Sequence, residues 1–456
     1  MGDTQFPVYG SSYHSWDRSW TGNDVRSGRV WAGLLGVEKT VVERVEFDEQ
    51  QGVLVVHARP ARGRRYRCGV CGRRCPGYDQ GQGRRRWRAL DLGTVQAVLE
   101  ADAARVRCPA DGVVVAAVPW ARHGAGHTRF FDDQVAWLAV TCSKSAVMML
   151  MRIAWRTVGA IITRVAADAT AGVDQLAGLR RIGIDEISYK RHHHYLTVVV
   201  DHDTRRLVWA APGRDTHTLR RFFDQLGPQR SALITHVSAD AADWIADVVA
   251  ERCPNAVRCA DAFHIVAWAT EALDTVRAQA MAQARALART EPRRTVGRPR
   301  ADAAPRPGHE RARALRHARY ALWRNPENLS EHQAAKLAWI AKTDPRLHRA
   351  YLLKEGLRHV FAVKGDAGIE ALDRWQSWAA RCRIPAFVAL GRRIRKHRAA
   401  IEAALTHDLS NALIESTNTK IRLLQRIAFG FRSADALIAL AMLALGGFRP
   451  ALPGRA

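Results

Sequence analysis

Ile182-Gly-Ile-Asp-Glu-Ile-Ser188 and Ile234-Thr-His-Val-Ser-Ala-Asp240 decide how this chain is read. Each is a short apolar run with β-branched residues that carries an acid or ends on one, and each predicts a strand. Around them, Tyr195–His202, Arg206–Ala211 and Ala256–Ala260 also read as strands, while Thr216–Leu226 and Ala242–Glu251 read as helices. Three successive strands followed by strand–helix–strand predict an α/β domain. Acids within apolar strands are costly unless paired or metal-bound, and sites in open α/β sheets gather at the carboxyl ends of strands. Asp185 and Asp240 are therefore candidate site residues.

Glu415, in Ser410-Asn-Ala-Leu-Ile-Glu-Ser-Thr-Asn418 at a predicted helix start, is the third candidate. Three acids from separate elements suit hard cations such as Mg²⁺ or Mn²⁺. Spacing alone does not decide the matter, because the chain holds 44 acidic residues and an acid near a strand end is ordinarily a solvated cap. Glu186 is expected to face away from Asp185 on the strand, and Asp243 to lie in the following helix. Asn418 and Arg422 fall on the Glu415 face, followed by Arg426, and are placed to hold a phosphate. Asp261-Ala-Phe-His264 offers a D-x-x-H pair that either supports the acids, contacts a substrate or simply caps a strand–helix junction. His192-His-His194 consists of neighbours that cannot converge on one ion, so it reads as solvent-exposed.

Working outward, 456 residues suggest two to four domains. Residues 1–30 are polar and aperiodic, a disordered tail or a start placed upstream of Val30. Thr40–Glu46 and Gly52–Ala58 read as strands within a module over residues 31–120. Residues 130–170 read as two helices around Cys142-Ser-Lys-Ser145, the second opened by Trp155 and running through Val165. The α/β segment occupies 178–270 and 405–450. Residues 271–404 between them are almost all helical, broken near Glu291–Gly308 by a loop rich in Pro, Gly and Arg. Gly297-Arg-Pro-Arg300 within it reads as linker. Ser330 with Gln333 is a capping box, Asp344 before Pro345 opens another helix, and Gly446-Gly447 stops the last one.

Seventy Lys and Arg against 44 acids leave a net charge of +26. Such a surface calls for a polyanion; nucleic acid is the commonest and an anionic membrane surface the rival. The longest apolar stretch, Ala434–Gly447, is about 14 residues, short of the ~20 that span a bilayer. No secretory signal pattern opens the chain, and eight cysteines clustered early and scattered late form no disulfide framework. A reducing cytoplasm is expected. Cys68-Gly-Val-Cys71 and Cys108-Pro-Ala-Asp111 share one spacing. Arg84, Arg85, Arg86 and Arg88 flank an aromatic in Arg84-Arg-Arg-Trp-Arg88, a pattern suited to phosphates.

Gly183-Ile-Asp-Glu-Ile187, Val237-Ser-Ala-Asp240, Asp261-Ala-Phe-His264, Leu409-Ser-Asn411 with Ile414-Glu-Ser-Thr-Asn-Thr-Lys-Ile-Arg422, and Ala428-Phe-Gly-Phe-Arg432 occur in that order at wide spacing. In this the chain resembles the insertion-sequence transposases of the ISL3 family across roughly residues 31–450. The resemblance implies an RNase H-like mixed sheet with a helical insertion, preceded by a zinc-ribbon-like module and a helix-turn-helix. It implies Asp185, Asp240 and Glu415 as catalytic acids holding Mg²⁺ or Mn²⁺, with Asp261, His264, Asn418 and Arg422 in support. It implies zinc on Cys68, Cys71 and Cys108, with Asp111 standing where the family usually has Cys or His, and Cys75 as the alternative ligand. Arg156 and Thr157 become candidate DNA readers on the second helix of the helix-turn-helix. The expected partners are double-stranded DNA and a second copy of the chain, in a bacterial cytoplasm at the nucleoid. Two other readings stay open: a DNA-binding regulator without catalysis, and a nuclease without strand transfer.

Overall fold

A computed structural model describes residues 25–190, 194–240, 242–291, 306–407, 409, 411–431 and 433–455. The chain divides into two compact units, Met1–Ala171 with Phe448–Ala456, and Gly172–Gly447.

The first unit opens with helix α1 (Val25–Leu34), where an aperiodic tail was expected. Residues 1–24 lie outside the described residues. Strands β1 (Thr40–Asp48), β2 (Val53–Pro60), β3 (Gly77–Asp79), β4 (Arg84–Arg88), β5 (Gln96–Asp102), β6 (Arg105–Cys108) and β7 (Gly112–Val115) follow. They build two sheets. One runs β1-β2-β5-β4 and the other β3-β6-β7. The four-stranded sheet has its own core, with Val56, Leu99, Trp87 and Trp120 buried together. Its β2 and β5 are parallel, a pairing that adjacent strand patterns do not announce.

Helices α2 (Arg129–Thr141), α3 (Lys144–Met151) and α4 (Trp155–Thr170) complete the unit. Thr128 and Ser143 cap α2 and α3 by accepting from the backbone N–H groups of Phe131 and Ala146. Arg152 ends α3 in the left-handed conformation (φ 52°), turning the chain into α4. The second helix therefore starts where the sequence predicted and runs five residues further.

In the second unit, β8 (Arg181–Lys190), β9 (His194–Asp201) and β10 (Arg206–Pro212) form an antiparallel meander. Helices α5 (Thr216–Leu226), α6 (Pro228–Ser231) and α7 (Asp243–Arg252), with strands β11 (His236–Ala239) and β12 (Val257–Ala260), follow. The sheet order is β10-β9-β8-β11-β12, with β11 parallel to both its neighbours. Ile182, Ile184 and Val199 of the sheet pack with Leu219, Phe222, Ile245 and Val248 of the helices. Burying a side chain such as Phe222 contributes about 1.5–3 kcal/mol.

The helices α8 (Ala262–Thr290), α9 (Pro307–Ala314), α10 (Ala318–Leu322), α11 (Glu331–Thr343), α12 (Pro345–Val363), α13 (Gly365–Arg381), α14 (Pro385–Lys396) and α15 (Arg398–His407) share a separate core around Leu273, Leu353, Leu357, Leu372 and Phe387. The Ser330–Gln333 capping box is present, and Asp344 caps α12. Helices α16 (Ala412–Ile427) and α17 (Ala434–Leu445) return the chain to the sheet, α16 against β8 and α17 against β10. Among the described residues no single helix is long and apolar enough to cross a membrane. The Gly297–Arg300 and His192–His193 positions lie outside the described residues.

Candidate active site

The strand register brings the acids together. Ala239 of β11 pairs with Ile184 of β8 on one side and Ala260 of β12 on the other. Asp185, Asp240 and Asp261 thus stand at neighbouring positions across three parallel strands, which are spaced about 4.8 Å apart. Asp185 is largely buried, and burial, with Asp240 and Asp261 beside it, raises its carboxyl above the usual range.

Asp261 does two jobs. Its Oδ1 accepts from the N–H of Phe263 (3.1 Å), capping α8, and its Oδ2 meets His264 Nδ1 at 2.6 Å. The same nitrogen is 3.7 Å from Asp240 Oδ1. The hydrogen bond to Asp261, with Asp240 and Asp185 nearby, pushes His264 up to about 9. The junction is capped by Asp261 rather than by His264, whose ring lies between Asp261 and Asp240.

Helix α16 delivers the rest. Asn418 Nδ2 donates to Asp185 Oδ2 (2.8 Å), while Asp185 Oδ1 accepts from the N–H of Glu186 (2.7 Å). Both oxygens of Asp185 are held in place. Glu415 lies one turn before Asn418 on the same face. Burial raises its carboxyl, and Asp261 and Asp185 raise it further while His264 lowers it, so it belongs to the same electrostatic cluster. Gln425 bonds the carbonyl of Tyr189, pinning the far end of α16 along β8. Nothing in the sequence marked that tie. Arg422 and Arg426 are exposed on α16.

Two other acids are placed differently. Asp243 pairs with Lys396 of α14 (2.8 Å) in the first turn of α7. The Glu186 side chain is only 6% exposed, with Arg214 Nε at 3.8 Å. It does not turn out to solvent. Burial pushes it up to about 7, and Asp185 and Asp240 add to that. Its Oε1 has no hydrogen-bond partner among the described residues.

The four acid and thiol ligand atoms of Cys68, Cys71, Cys108 and Asp111 lie within 4.8 Å of one another. Asp111 Oδ2 is 3.2 Å from both Cys68 Sγ and Cys108 Sγ, and Cys71 Sγ is 3.5 Å from Cys108 Sγ. Bonds of ~2.3 Å to sulfur and ~2.0–2.2 Å to oxygen, arranged tetrahedrally, leave ligand atoms about this far apart. These residues therefore fit zinc. Gly72, at φ 72°, makes the tight turn after the first pair and donates its N–H to the Cys68 carbonyl. Cys75 sits outside this group, buried beside Val106.

The basic run forms the edge strand β4, and alternation divides it. Arg84 and Arg86 pair with Glu100 (3.1 and 2.8 Å) on the partly exposed face. Arg85 donates to the Ala125 carbonyl (2.8 Å). Arg88 turns inward to Asp91 and the carbonyls of Ala89 and Ala97, so it is an internal tie. Arg156 is exposed and Thr157 half-buried at the start of α4.

Three family models match the chain. One is described as a transposase and covers residues 182–441. A second, the helix-turn-helix domain of transposase family ISL3, covers 116–166. The third, the zinc finger of transposase IS204/IS1001/IS1096/IS1165, covers 64–111. Two Mycobacterium tuberculosis strains, CDC 1551/Oshkosh and ATCC 25618/H37Rv, each have a transposase for insertion sequence element IS1557 that is 67% identical over 436 residues, 94% of this chain and 98% of the relative. The transposase for insertion sequence element IS1001 of Bordetella parapertussis is 26% identical over 411 residues, 89% of this chain and 95% of that one.

Proposed function

The chain belongs to the ISL3 family of transposases, and from that premise we propose that it binds the terminal inverted repeats of an insertion sequence and cuts and joins DNA at Asp185, Asp240 and Glu415. The observation that carries this reading is the parallel register, which sets Asp240 beside Asp185 while α16 brings Glu415 and Asn418 to the same place. The sheet order β10-β9-β8-β11-β12 supports an RNase H-like catalytic unit, with α8–α15 as the helical insertion.

Carboxylate oxygens on three elements form a hard-donor set, and burial together with neighbouring carboxylates raises both Asp185 and Glu415, which marks a place short of positive charge. That fits Mg²⁺ or Mn²⁺. Asp185, Asp240 and Glu415 would hold such ions, which would supply activation of the attacking water or 3′-hydroxyl and stabilisation of the leaving oxygen. The chain's own residues orient the acids. Asn418 and the Glu186 N–H fix both oxygens of Asp185. His264, held by Asp261, places a positive charge beside Asp240. Arg422 and Arg426 offer guanidinium groups to the phosphates beside the cut.

The zinc ribbon on Cys68, Cys71, Cys108 and Asp111, with zinc bound, and the helix-turn-helix hold the element ends. Arg84, Arg85, Arg86, Arg156 and Thr157 are the proposed DNA contacts. Pairing two ends calls for two or more copies of the chain, acting in the bacterial cytoplasm on the nucleoid.

The test is cleavage of linear DNA carrying the sequences that flank the element, in Mg²⁺. Asp185→Ala is expected to lower the rate at least about a thousandfold, on the scale of losing a principal source of transition-state stabilisation. Cleavage persisting at the wild-type rate removes Asp185 from the mechanism.

A further inference from the structure

The helical insertion carries a strongly basic groove that the acid site does not use. Over residues 277–291 and 306–324 there are nine arginines and two glutamates. Helix α8 and the turn between α9 and α10 enclose an open cavity of about 380 Å³, lined by Arg277, Arg285, Arg316, His317 and Arg319 together with Met281 and Leu315. Arg277 is committed to Asp274 (2.6 Å). Arg285 and Arg316 are exposed and have no carboxylate partner among the described residues. Unpaired arginines crowded at one place repel one another unless an anion lies between them.

The groove is also built rather than incidental. Lys336 Nζ donates to the carbonyls of Ala314 (2.9 Å) and Arg316 (3.3 Å), fixing the turn that presents Arg316. His317 holds a left-handed backbone (φ 60°) at the start of α10, a conformation that costs energy for a side chain of this kind. Its ring stacks on Tyr320, and the Arg319 guanidinium lies over both Tyr320 (4.8 Å) and Trp323 (5.8 Å). Both aromatic residues are exposed. One Arg319 N–H donates to the Tyr320 hydroxyl (2.9 Å), which holds the guanidinium beside the rings, and its remaining N–H groups suit phosphate oxygens.

Helix α8 starts at the acid site and rises 1.5 Å per residue. Arg277 and Arg285, 16 and 24 residues past Asp261, lie about 24 and 36 Å along it. DNA advances about 3.4 Å per base pair, so this span along α8 corresponds to roughly seven to eleven base pairs from the acid site.

We infer that this arginine-lined groove of the helical insertion, formed by Arg285, Arg316 and Arg319, grips the phosphate backbone of duplex DNA flanking the reaction site. The inference rests on the transposase reading for the identity of the polyanion. It assigns the insertion a DNA-holding task separate from the ribbon and the helix-turn-helix.

The experiment measures binding of the full chain to a fluorescein-labelled 40-base-pair duplex by anisotropy across a salt series. The variant Arg285→Ala/Arg316→Ala/Arg319→Ala is compared with the matching Arg→Lys triple variant and with the single Arg316→Glu. Each lost phosphate contact lowers the slope of log K against log salt by about 0.9. At 0.15 M salt it weakens binding about fivefold, so the alanine triple variant loses roughly a hundredfold. The lysine triple variant keeps most of the slope, because the charge remains. Circular dichroism confirms folding; should the triple variant unfold, Arg316→Glu alone must still lower the slope. An unchanged slope in folded alanine and glutamate variants overturns the inference. So does loss of binding to phosphatidylglycerol vesicles with DNA binding intact. Repeating the series in Asp185→Ala separates the two proposals: a groove-dependent slope that persists there upholds the groove even where the chemistry fails.

Discussion

The two candidate metal centres of this chain are built on opposite plans. In the ribbon, four ligands come from two short segments, and their atoms lie within 4.8 Å of one another. In the catalytic unit the acids come from β8, from the turn after β11 and from α16, 230 positions apart from first to last. Burial, with neighbouring acids, raises the carboxyls of Asp185 and Glu415, and His264 stands between Asp240 and Asp261. A closed site of thiolates around a small core serves as a fastener. The proposed reaction site is open, made of partly buried acids on a finished sheet, and the fold must hold it against its own repulsion. The ribbon has Cys68, Cys75, Val106 and Cys108 as its buried centre and little else, whereas β8 and β11 rest on a core rich in isoleucines and phenylalanines that needs no ion.

The strongest way to break this contrast is to remove the metals. Structural zinc contributes on the order of 10 kcal/mol in small modules of this kind. Cys68→Ser, or a chelator, is expected to abolish zinc content and to release the amide protection of Val106 and its neighbours in β6 and β7. The amides of β8, β11 and β12 are expected to keep their protection when all divalent ions are removed. Hydrogen exchange read by mass spectrometry compares the two units in one sample. A ribbon that stays protected without zinc ends the contrast.

A smaller effect sharpens it from the other side. Glu186 has its carboxyl pushed up to about 7 from 4.5, chiefly by burial. An acid with a raised folded value binds more protons folded than unfolded, so its contribution to stability is full below pH 4.5 and is lost as pH rises through about 7. Glu186→Gln, which cannot ionise, is expected to stabilise the metal-free catalytic unit at pH 8 by on the order of 2 kcal/mol. At pH 4 the substitution is expected to change little. Urea unfolding at the two pH values in a chelator checks this, and an equal effect at both refutes it.

Much of this was legible in sequence where the determinants are local. Thr216–Leu226 was delimited to the residue, because Asp215 caps one end and Gly227 ends the other. Ser330 and Gln333 announce their capping box by spacing alone. Strand β11 begins at His236 rather than Ile234, because the chain is still turning: the N–H groups of Leu233 and Ile234 go back to Arg230 and Ser231. Pairing was not legible. Nothing local says that β2 lies parallel to β5, that Asp261 aligns with Asp240, or that Glu186 is buried under Arg214. The run Arg84–Arg88 reads as one basic stripe, yet the edge strand sends Arg88 inward to Asp91. The acids were chosen as candidates because a whole set of separated motifs resembled a family, not because any one acid stood out.

The finest test concerns how the open site keeps its shape. Asp185 has one oxygen held by the Glu186 N–H and the other by Asn418 Nδ2. Asn418 is itself almost fully buried, and its Oδ1 has no partner among the described residues, so its amide is oriented by packing and by this one bond. Outer ligand partners of this sort are worth about 10- to 100-fold in metal affinity or activity. Asn418→Ala leaves the Asp185 carboxylate free to rotate, and the expected loss is at the lower end, about tenfold, because the Glu186 N–H still restrains one oxygen. The loss should fall on the Mg²⁺ concentration needed for half-maximal cleavage, with the rate at saturating Mg²⁺ largely recovered. Asn418→Asp keeps the size but removes the donor and adds a like charge, so it should be worse than alanine at low Mg²⁺. If both variants instead lower the saturated rate with an unchanged Mg²⁺ requirement, Asn418 acts on the DNA and not through Asp185.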